Sequence, residues 1–175
     1  MKKLLLLIML LCAMVISGCD SNRQEETKNP AAQTQTVKEQ SFIVYRASAD
    51  GSEKLLPEKL TIKDNGKPVA ENALRALVGT KPGNAKYDDV VPIGTKLLSL
   101  RIEKDGTAYA DFSRELAKRG QGSYGELMLC YAITNTLTEF KEIKRVQILV
   151  EGKKVESLSG HMDVDEPLTR NESLL

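Results

Sequence analysis

Tryptophan is absent from this chain, and aromatic residues of all kinds make up only 5% of it. Surfaces that bind sugars or single-stranded bases rely on stacked aromatic side chains, so this composition argues against both functions. The chain also lacks a surplus of either charge, because 25 basic residues face 24 acidic ones. Proteins that bind a phosphate backbone need a basic excess, and nucleic acid is therefore not an expected partner.

Cysteine and histidine are scarce as well. The three cysteines are Cys12, Cys19 and Cys130, and the only histidine is His161. Because Cys12 and Cys19 lie at the N-terminus, the rest of the chain has one thiol and no pair for an internal disulfide. Cys130 lies among apolar residues, which favours a small core residue. The alternative, a catalytic thiol, requires a base that only His161 offers.

The N-terminus has the pattern of a bacterial lipoprotein signal peptide. Two lysines precede the uncharged apolar stretch 4–16, which is too short to span a bilayer comfortably. The stretch ends in Ile16-Ser17-Gly18-Cys19, which resembles the bacterial lipobox. We expect cleavage between Gly18 and Cys19, acylation of Cys19, and attachment to the cell membrane facing outside the cytoplasm. The alternative is an uncleaved anchor helix, followed by an ordinary cysteine.

The composition of the remaining residues predicts the domain organisation. Asp20 to Gln40 is rich in polar residues and has no aromatic one, so it cannot bury enough apolar surface to offset its ordering entropy. The later residues alternate between apolar patterns and turns. We predict a signal peptide at 1–18, the lipidated cysteine with a flexible tether at 19–40, one folded domain at 41–168, and a C-terminal tail at 169–175.

Two segments have helical patterns. Pro68 opens the first and Gly79 ends it. Its apolar face carries Val69, Ala73, Leu74, Leu77 and Val78. In the second, Ser123 and Glu126 match a capping box, and we expect this helix to end near Phe140. Its apolar stripe carries Leu127, Cys130, Tyr131, Ile133, Thr134 and Leu137.

The other periodic segments alternate as β-strands do. Phe42 to Tyr45 predicts one strand, and residues 54–64 predict a second that is interrupted at Pro57. Residues 98–112 predict a hairpin around Asp105-Gly106 with one buried face. That face carries Leu98, Leu100, Ile102, Ala108, Ala110 and Phe112. A further strand is expected at Val146, Ile148 and Val150. The order predicts a single small α+β domain, a mostly antiparallel sheet with two helices packed on one face.

Three patterns suggest chemistry, and each has a simpler interpretation. Residues 120–125 match G-x-G-x-x-G, but a dinucleotide site needs a strand directly before the glycines, and a charged stretch stands there. The acidic run 163–166 provides too few ligands for calcium, so a solvated turn is favoured. A Ser-His-Asp triad would use His161 with one of several serines that no motif marks, and we expect that single changes at His161, Ser123 or Asp111 do not abolish function. We therefore predict no catalytic, metal or cofactor site.

The chain resembles the GerMN domain of sporulation and germination lipoproteins from about residue 41 to 168. The matching stretches are 91–98, 105–113, 135–140, 146–152 and 160–163, together with the helix at 73–79. The resemblance rests on their order, since no single one of these motifs is decisive.

The resemblance implies a compact α+β module, similar to the ring-building domains of envelope assemblies, that makes protein contacts and does not catalyse. We thus expect a membrane-anchored, non-enzymatic cell-envelope lipoprotein in sporulation or spore germination. Its expected partners are the membrane, through the lipid anchor, and an envelope protein or a second copy of itself. The alternative is a lipoprotein that binds a small ligand or the cell wall, and an envelope hydrolase is disfavoured.

Overall fold

The computed structural model describes residues 38–118 and 122–175. The expected signal peptide, Gly18, Cys19 and nearly all of the expected tether lie outside these residues, as do Gly120 and Gln121. In the part of the chain that is described, no helix has the length and apolar character needed to cross a membrane.

The first sheet has the strand order β2-β1-β3. Its strands are β1 (Glu39–Ser48), β2 (Leu55–Lys63) and the short β3 (Tyr87–Asp88), all antiparallel. The interruption expected at Pro57 is wrong, because β2 continues through this residue, which pairs with Tyr45. The Tyr45 N–H points away from β2 and donates to Thr136 Oγ1 at 2.9 Å. Pro57 therefore occupies a position of the edge strand β2 where a backbone N–H is not needed for pairing with β1, so proline is tolerated there.

The first helix, α1 (Val69–Gly79), begins just after Pro68 and ends at Gly79, as predicted. Its apolar face is shifted from the expected one, since Val69 is exposed and Asn72 is buried. Asn72 can be buried because its side-chain amide hydrogen bonds to Gln40 and Asn65, both within 3.0 Å. The helix packs on β1.

The second sheet has the order β4-β5-β6-β7. Its strands are β4 (Leu97–Ile102), β5 (Thr107–Phe112), β6 (Arg145–Val150) and β7 (Leu168–Thr169). Only the β5–β6 pair is parallel, so the fold is α+β with two mostly antiparallel sheets, where the sequence suggested one.

The hairpin of β4 and β5 has the predicted turn, but only β5 has the predicted burial. Ala108, Ala110 and Phe112 are fully buried, whereas Leu98 and Ile102 of β4 are exposed. The register shifts between Leu97 and Ser99, and β4 is an edge strand. This bulge puts Leu97 in the core and leaves Leu98 outside.

The second helix, α2 (Gly122–Leu137), packs on β1 and connects β5 to β6. The predicted capping box is wrong. Ser123 lies inside the helix and is exposed, and the Glu126 carboxylate bonds a distant segment instead. The helix ends three residues before Phe140, whose N–H closes a turn on the Leu137 carbonyl. The core side chains of α2 are Met128, Leu129, Cys130, Ala132, Ile133 and Leu137.

The last residues, assigned from sequence to a tail, pack on the domain. Arg170 donates to the Tyr45 hydroxyl at 2.9 Å and lies 2.7 Å from the Glu139 carboxylate. Asn171 and Asn135 exchange two hydrogen bonds, and Leu174 is buried. The β1 strand likewise begins at Glu39, two residues before the expected boundary.

Candidate functional site

The polar residues considered for catalysis have different partners and do not form a common site. Asp111 accepts a hydrogen bond from the Gly152 N–H at 2.7 Å. His161 is exposed, and its backbone N–H donates to Glu126 at 2.9 Å. Ser123 is exposed on α2. Within residues 38–118 and 122–175, no hydrogen bond joins any two of these three residues.

The Cys130 thiol is buried in α2. Burial, with a smaller contribution from the Glu126 charge, raises its pKa to about 12. A thiol with this pKa remains protonated at neutral pH, which makes it a poor nucleophile there and fits a core side chain.

The acidic run 163–166 is interrupted by a core residue. Val164 is buried, its N–H bonds the Glu156 carbonyl, and its carbonyl accepts from Gln147. The acidic side chains on both sides of it are exposed. Over the described ranges, no group of three or more histidine, cysteine or acidic residues could hold a metal ion.

Glu126 is the polar residue whose role sequence reasoning missed. Its side chain is only 1% exposed and accepts four hydrogen bonds from one segment. Oε1 accepts the N–H groups of Leu158 and Ser159 at 2.8 and 2.9 Å. Oε2 accepts the Ser159 hydroxyl at 2.7 Å and the His161 N–H at 2.9 Å. Glu126 therefore fixes the segment 158–161 on α2.

These donors also set the charge state of Glu126. Burial raises the pKa of its carboxyl, but the Ser159 N–H and hydroxyl and the N–H groups of His161 and Leu158 lower it by more. The net pKa is below the ordinary glutamate value, so the carboxylate is ionised at neutral pH. The lone pairs of the Glu126 carboxylate are directed at the segment 158–161, so Glu126 anchors this segment to α2.

The most exposed large apolar side chain of the described residues is Ile93, with 84% of its surface accessible. It stands on the turn Pro92–Thr95, which the Thr95 N–H closes on the Pro92 carbonyl at 3.1 Å. Gly94 has φ +88°, as the third position of a type II turn requires. The Thr95 hydroxyl also bonds the Pro92 carbonyl, at 2.7 Å.

Both ends of this turn are held by the domain. Val91 before it and Thr95 and Leu97 after it are buried. The Lys96 carbonyl accepts the Ser113 N–H at 2.9 Å, and the Lys96 N–H donates to the Ser113 hydroxyl at 3.0 Å. The chain thus presents Ile93 to solvent from a rigid support.

Grooves lie around the turn. One, of about 270 Å³, runs between Ile93 and the end of α1 at Val78 and Gly79. A second, of about 400 Å³, lies between Val78 and Leu98. A third, of about 820 Å³, lies across the turn. It is lined by Leu98 and by polar residues that include Lys96 and Lys118. We call the turn, Leu98 and the walls of these grooves the Ile93 surface.

Comparisons with known proteins agree with the fold. A family model described as "Germane: Sporulation and spore germination" matches residues 43–156. The spore germination protein GerM of Bacillus subtilis is 25% identical over 90% of this chain. The chain spans only 44% of that relative's length.

Solved structures give the same picture. The first GerMN domain of the B. subtilis sporulation protein GerM has a TM-score of 0.64 and 26% identity, over 75% of this chain and 98% of that domain. The tandem GerMN domains of the same protein give 0.65 and 25%, over 75% of this chain and 46% of theirs. A Clostridium perfringens putative lipoprotein, 23% identical with a TM-score of 0.53, shares the fold; the match covers 77% of this chain and 89% of that one.

Proposed function

Because this chain belongs to the Germane family of sporulation and spore germination proteins, we propose that it acts in one of these processes as a membrane-anchored lipoprotein of the cell envelope. In this proposal the domain is non-enzymatic and binds another protein through the Ile93 surface. The lipid anchor at Cys19 confines the domain to the membrane, and a tether of about 20 residues gives it a reach of roughly 25 Å.

The observation that carries the proposal is the exposure of Ile93 on a rigid turn. Burying such a side chain is worth about 1.5–3 kcal/mol, which a partner can gain on contact. Because the turn is already ordered, little conformational entropy is lost when it binds. Rigid apolar side chains next to grooves are where binding energy concentrates in protein interfaces.

The use of the buried polar groups supports a non-enzymatic role. Glu126 holds the segment 158–161, as described above. Arg46 pairs with Glu58 at 2.5 Å and donates to carbonyls at the end of α1. Both groups hold parts of the fold together.

The test is complementation in the organism that carries the gene, with heat-resistant spore yield and germination rate as readouts. Deletion of the gene should impair one of these processes. Ile93→Asp should fail to restore it, while Ile43→Asp, which changes a 36% exposed residue of β1, should restore it. A deletion strain that sporulates and germinates normally would overturn the proposed process.

The anchor is tested separately by metabolic labelling with a fatty-acid analogue. The wild type and Cys12→Ala should take up the label and sediment with membranes, whereas Cys19→Ala should do neither. A labelled Cys19→Ala protein, or an unlabelled wild type, would rule out lipidation at Cys19.

A further inference from the structure

From the Ile93 surface we infer the chemistry of its partner: an acidic amphipathic segment of another protein, whose apolar side chains fill the grooves beside Val78 and whose carboxylates meet the groove at Lys96 and Lys118. This inference rests on the proposed function and specifies the partner. It follows from the shape of the surface and from the arrangement of charge around it.

The surface has separate grooves, each of which can hold a side chain of the partner. The turn stands between the groove at Val78 and Gly79 on one side and the groove at Lys96 and Lys118 on the other. A segment crossing the turn can therefore contact Ile93 and seat side chains in both grooves. An amphipathic helix has this geometry, with apolar side chains for Ile93 and the groove at Val78 and charged side chains for the groove at Lys96 and Lys118.

Basic side chains outnumber acidic ones around the surface. The three grooves are lined by five basic residues, Arg75, Lys81, Lys96, Arg114 and Lys118, and by three acidic residues, Asp89, Glu115 and Glu151.

The acidic residues are already engaged. Asp89 lies 3.3 Å from Lys81, Glu115 lies 3.5 Å from Arg114, and Glu151 accepts the Arg114 backbone N–H at 2.9 Å. Lys96 and Lys118 are exposed and form no ion pair within the described residues. Arg75 is itself paired with Glu71 at 2.8 Å. The side chains left for a partner are therefore Lys96, Lys118 and the Glu151 carboxylate, which keeps its charge when it accepts an N–H. Their net charge is positive, and carboxylates are its complement.

The same observations disfavour two other occupants. A second copy of this chain would bring two surfaces of positive surplus together, which costs electrostatic energy. An anionic lipid surface matches the charge, but it would not fill separate grooves on the two sides of a projecting turn.

Binding of two synthetic peptides tests the inference, with the full chain in phosphatidylcholine nanodiscs. Both peptides are helical and roughly 20 residues long, since shorter helices are marginal in water. Leucines occupy one face, and the other positions carry glutamate in one peptide and lysine in the other. Fluorescence anisotropy of the labelled peptides gives the affinity, and empty nanodiscs provide the background.

The glutamate peptide should bind and the lysine peptide should not. Ile93→Asp and the double variant Lys96→Glu/Lys118→Glu should each weaken binding about tenfold or more. Ile43→Asp and Lys59→Glu/Lys63→Glu, matched changes on the first sheet, should leave it unchanged. Salt should weaken the binding because the complementary charges are exposed. Circular dichroism checks that each variant is folded, and Ile93→Ala should give a smaller loss.

Several results would overturn the inference. Equal binding of both peptides, no binding of either, or equal losses in the matched controls would exclude an acidic segment at this surface. An environment-sensitive dye on Ile93→Cys that becomes buried in phosphatidylglycerol nanodiscs without peptide would indicate lipid. Cross-linking between two Ile93→Cys copies would indicate self-association. If the peptides fail to discriminate and the dye shows no burial in lipid, while Ile93→Asp still fails in the cell, the proposed function stands and only the partner's chemistry is wrong.

Discussion

Replacing Glu126 by glutamine should loosen the segment 158–161 and destabilise the domain. Glutamine retains one carbonyl oxygen for the N–H groups that now meet Oε1, but its amide nitrogen replaces Oε2 and cannot accept. The Ser159 hydroxyl can turn, whereas the His161 N–H loses its acceptor. The two retained bonds also lose their charge.

The magnitude follows from these four bonds. A hydrogen bond to a charged group contributes about 1.5–3 kcal/mol and a neutral one about 0.5–1.5, so neutralising the two retained bonds costs roughly 1–3 kcal/mol. Leaving a partly buried N–H without an acceptor costs about 1–3 kcal/mol more. We expect Glu126→Gln to lower the free energy of unfolding by about 2–6 kcal/mol, a large part of the 5–15 kcal/mol typical of a domain.

The same substitution should alter the dependence of stability on pH. The folded state lowers the pKa of Glu126, so the stabilisation is complete above the unfolded value, about 4.3. It decreases as the pH falls below that value and is lost once the pH has passed the folded pKa. The difference between wild type and Glu126→Gln should therefore shrink in acid.

The assay is urea unfolding followed by circular dichroism, on the compact unit Thr36–Leu175. Hydrogen exchange should show faster exchange at Ser159 and His161 in the variant. Glu142→Gln, at an exposed carboxylate, serves as the control. A loss below about half a kcal/mol, or unchanged exchange at these two amides, would refute the reasoning for Glu126.

Three further predictions concern the core of the same unit. Leu137→Ala should cost about 2–5 kcal/mol in urea unfolding, because Leu137 is fully buried; a negligible change would mean that α2 does not use this face. Arg46→Met should cost about 3–5 kcal/mol by leaving Glu58 charged and buried, and adding Glu58→Leu should restore much of it; no recovery in the double variant would contradict the pairing. The Cys130 thiol should resist maleimide at neutral pH until denaturant is added, since its pKa is raised to about 12; rapid labelling of the folded protein, followed by mass spectrometry, would disprove its burial.

Local patterns were sufficient to predict much of the fold. Pro68 and Gly79 bound the first helix because proline fits a first turn and glycine a helix end. The hairpin turn was equally predictable from the dipeptide Asp105-Gly106, because glycine readily adopts the positive φ that such turns need. In the structure Gly106 has φ +86°. Such features depend on the conformational preferences of a few neighbouring residues.

Features that depend on distant residues were not predictable in this way. Glu126 matched a capping box by spacing, yet its partners lie 32 to 35 residues further along the chain. Pro57 matched a strand break, but it is tolerated because β2 lies at a sheet edge. Strand order and edge positions arise from tertiary packing, which alternation in a single strand does not specify.

The Ile93 surface falls between these two cases. The stretch 91–98 contributed to the resemblance to GerMN domains, but no turn was predicted within it and Ile93 was not a candidate residue. An isoleucine in such a stretch normally suggests a core contact. Its exposure becomes apparent only once Val91 and Leu97 are seen to occupy the core on both sides, which leaves Ile93 no position there. A side chain held outside by the packing of its neighbours cannot relax into the core formed by residues 38–118 and 122–175, so burial of Ile93 requires a surface beyond that core.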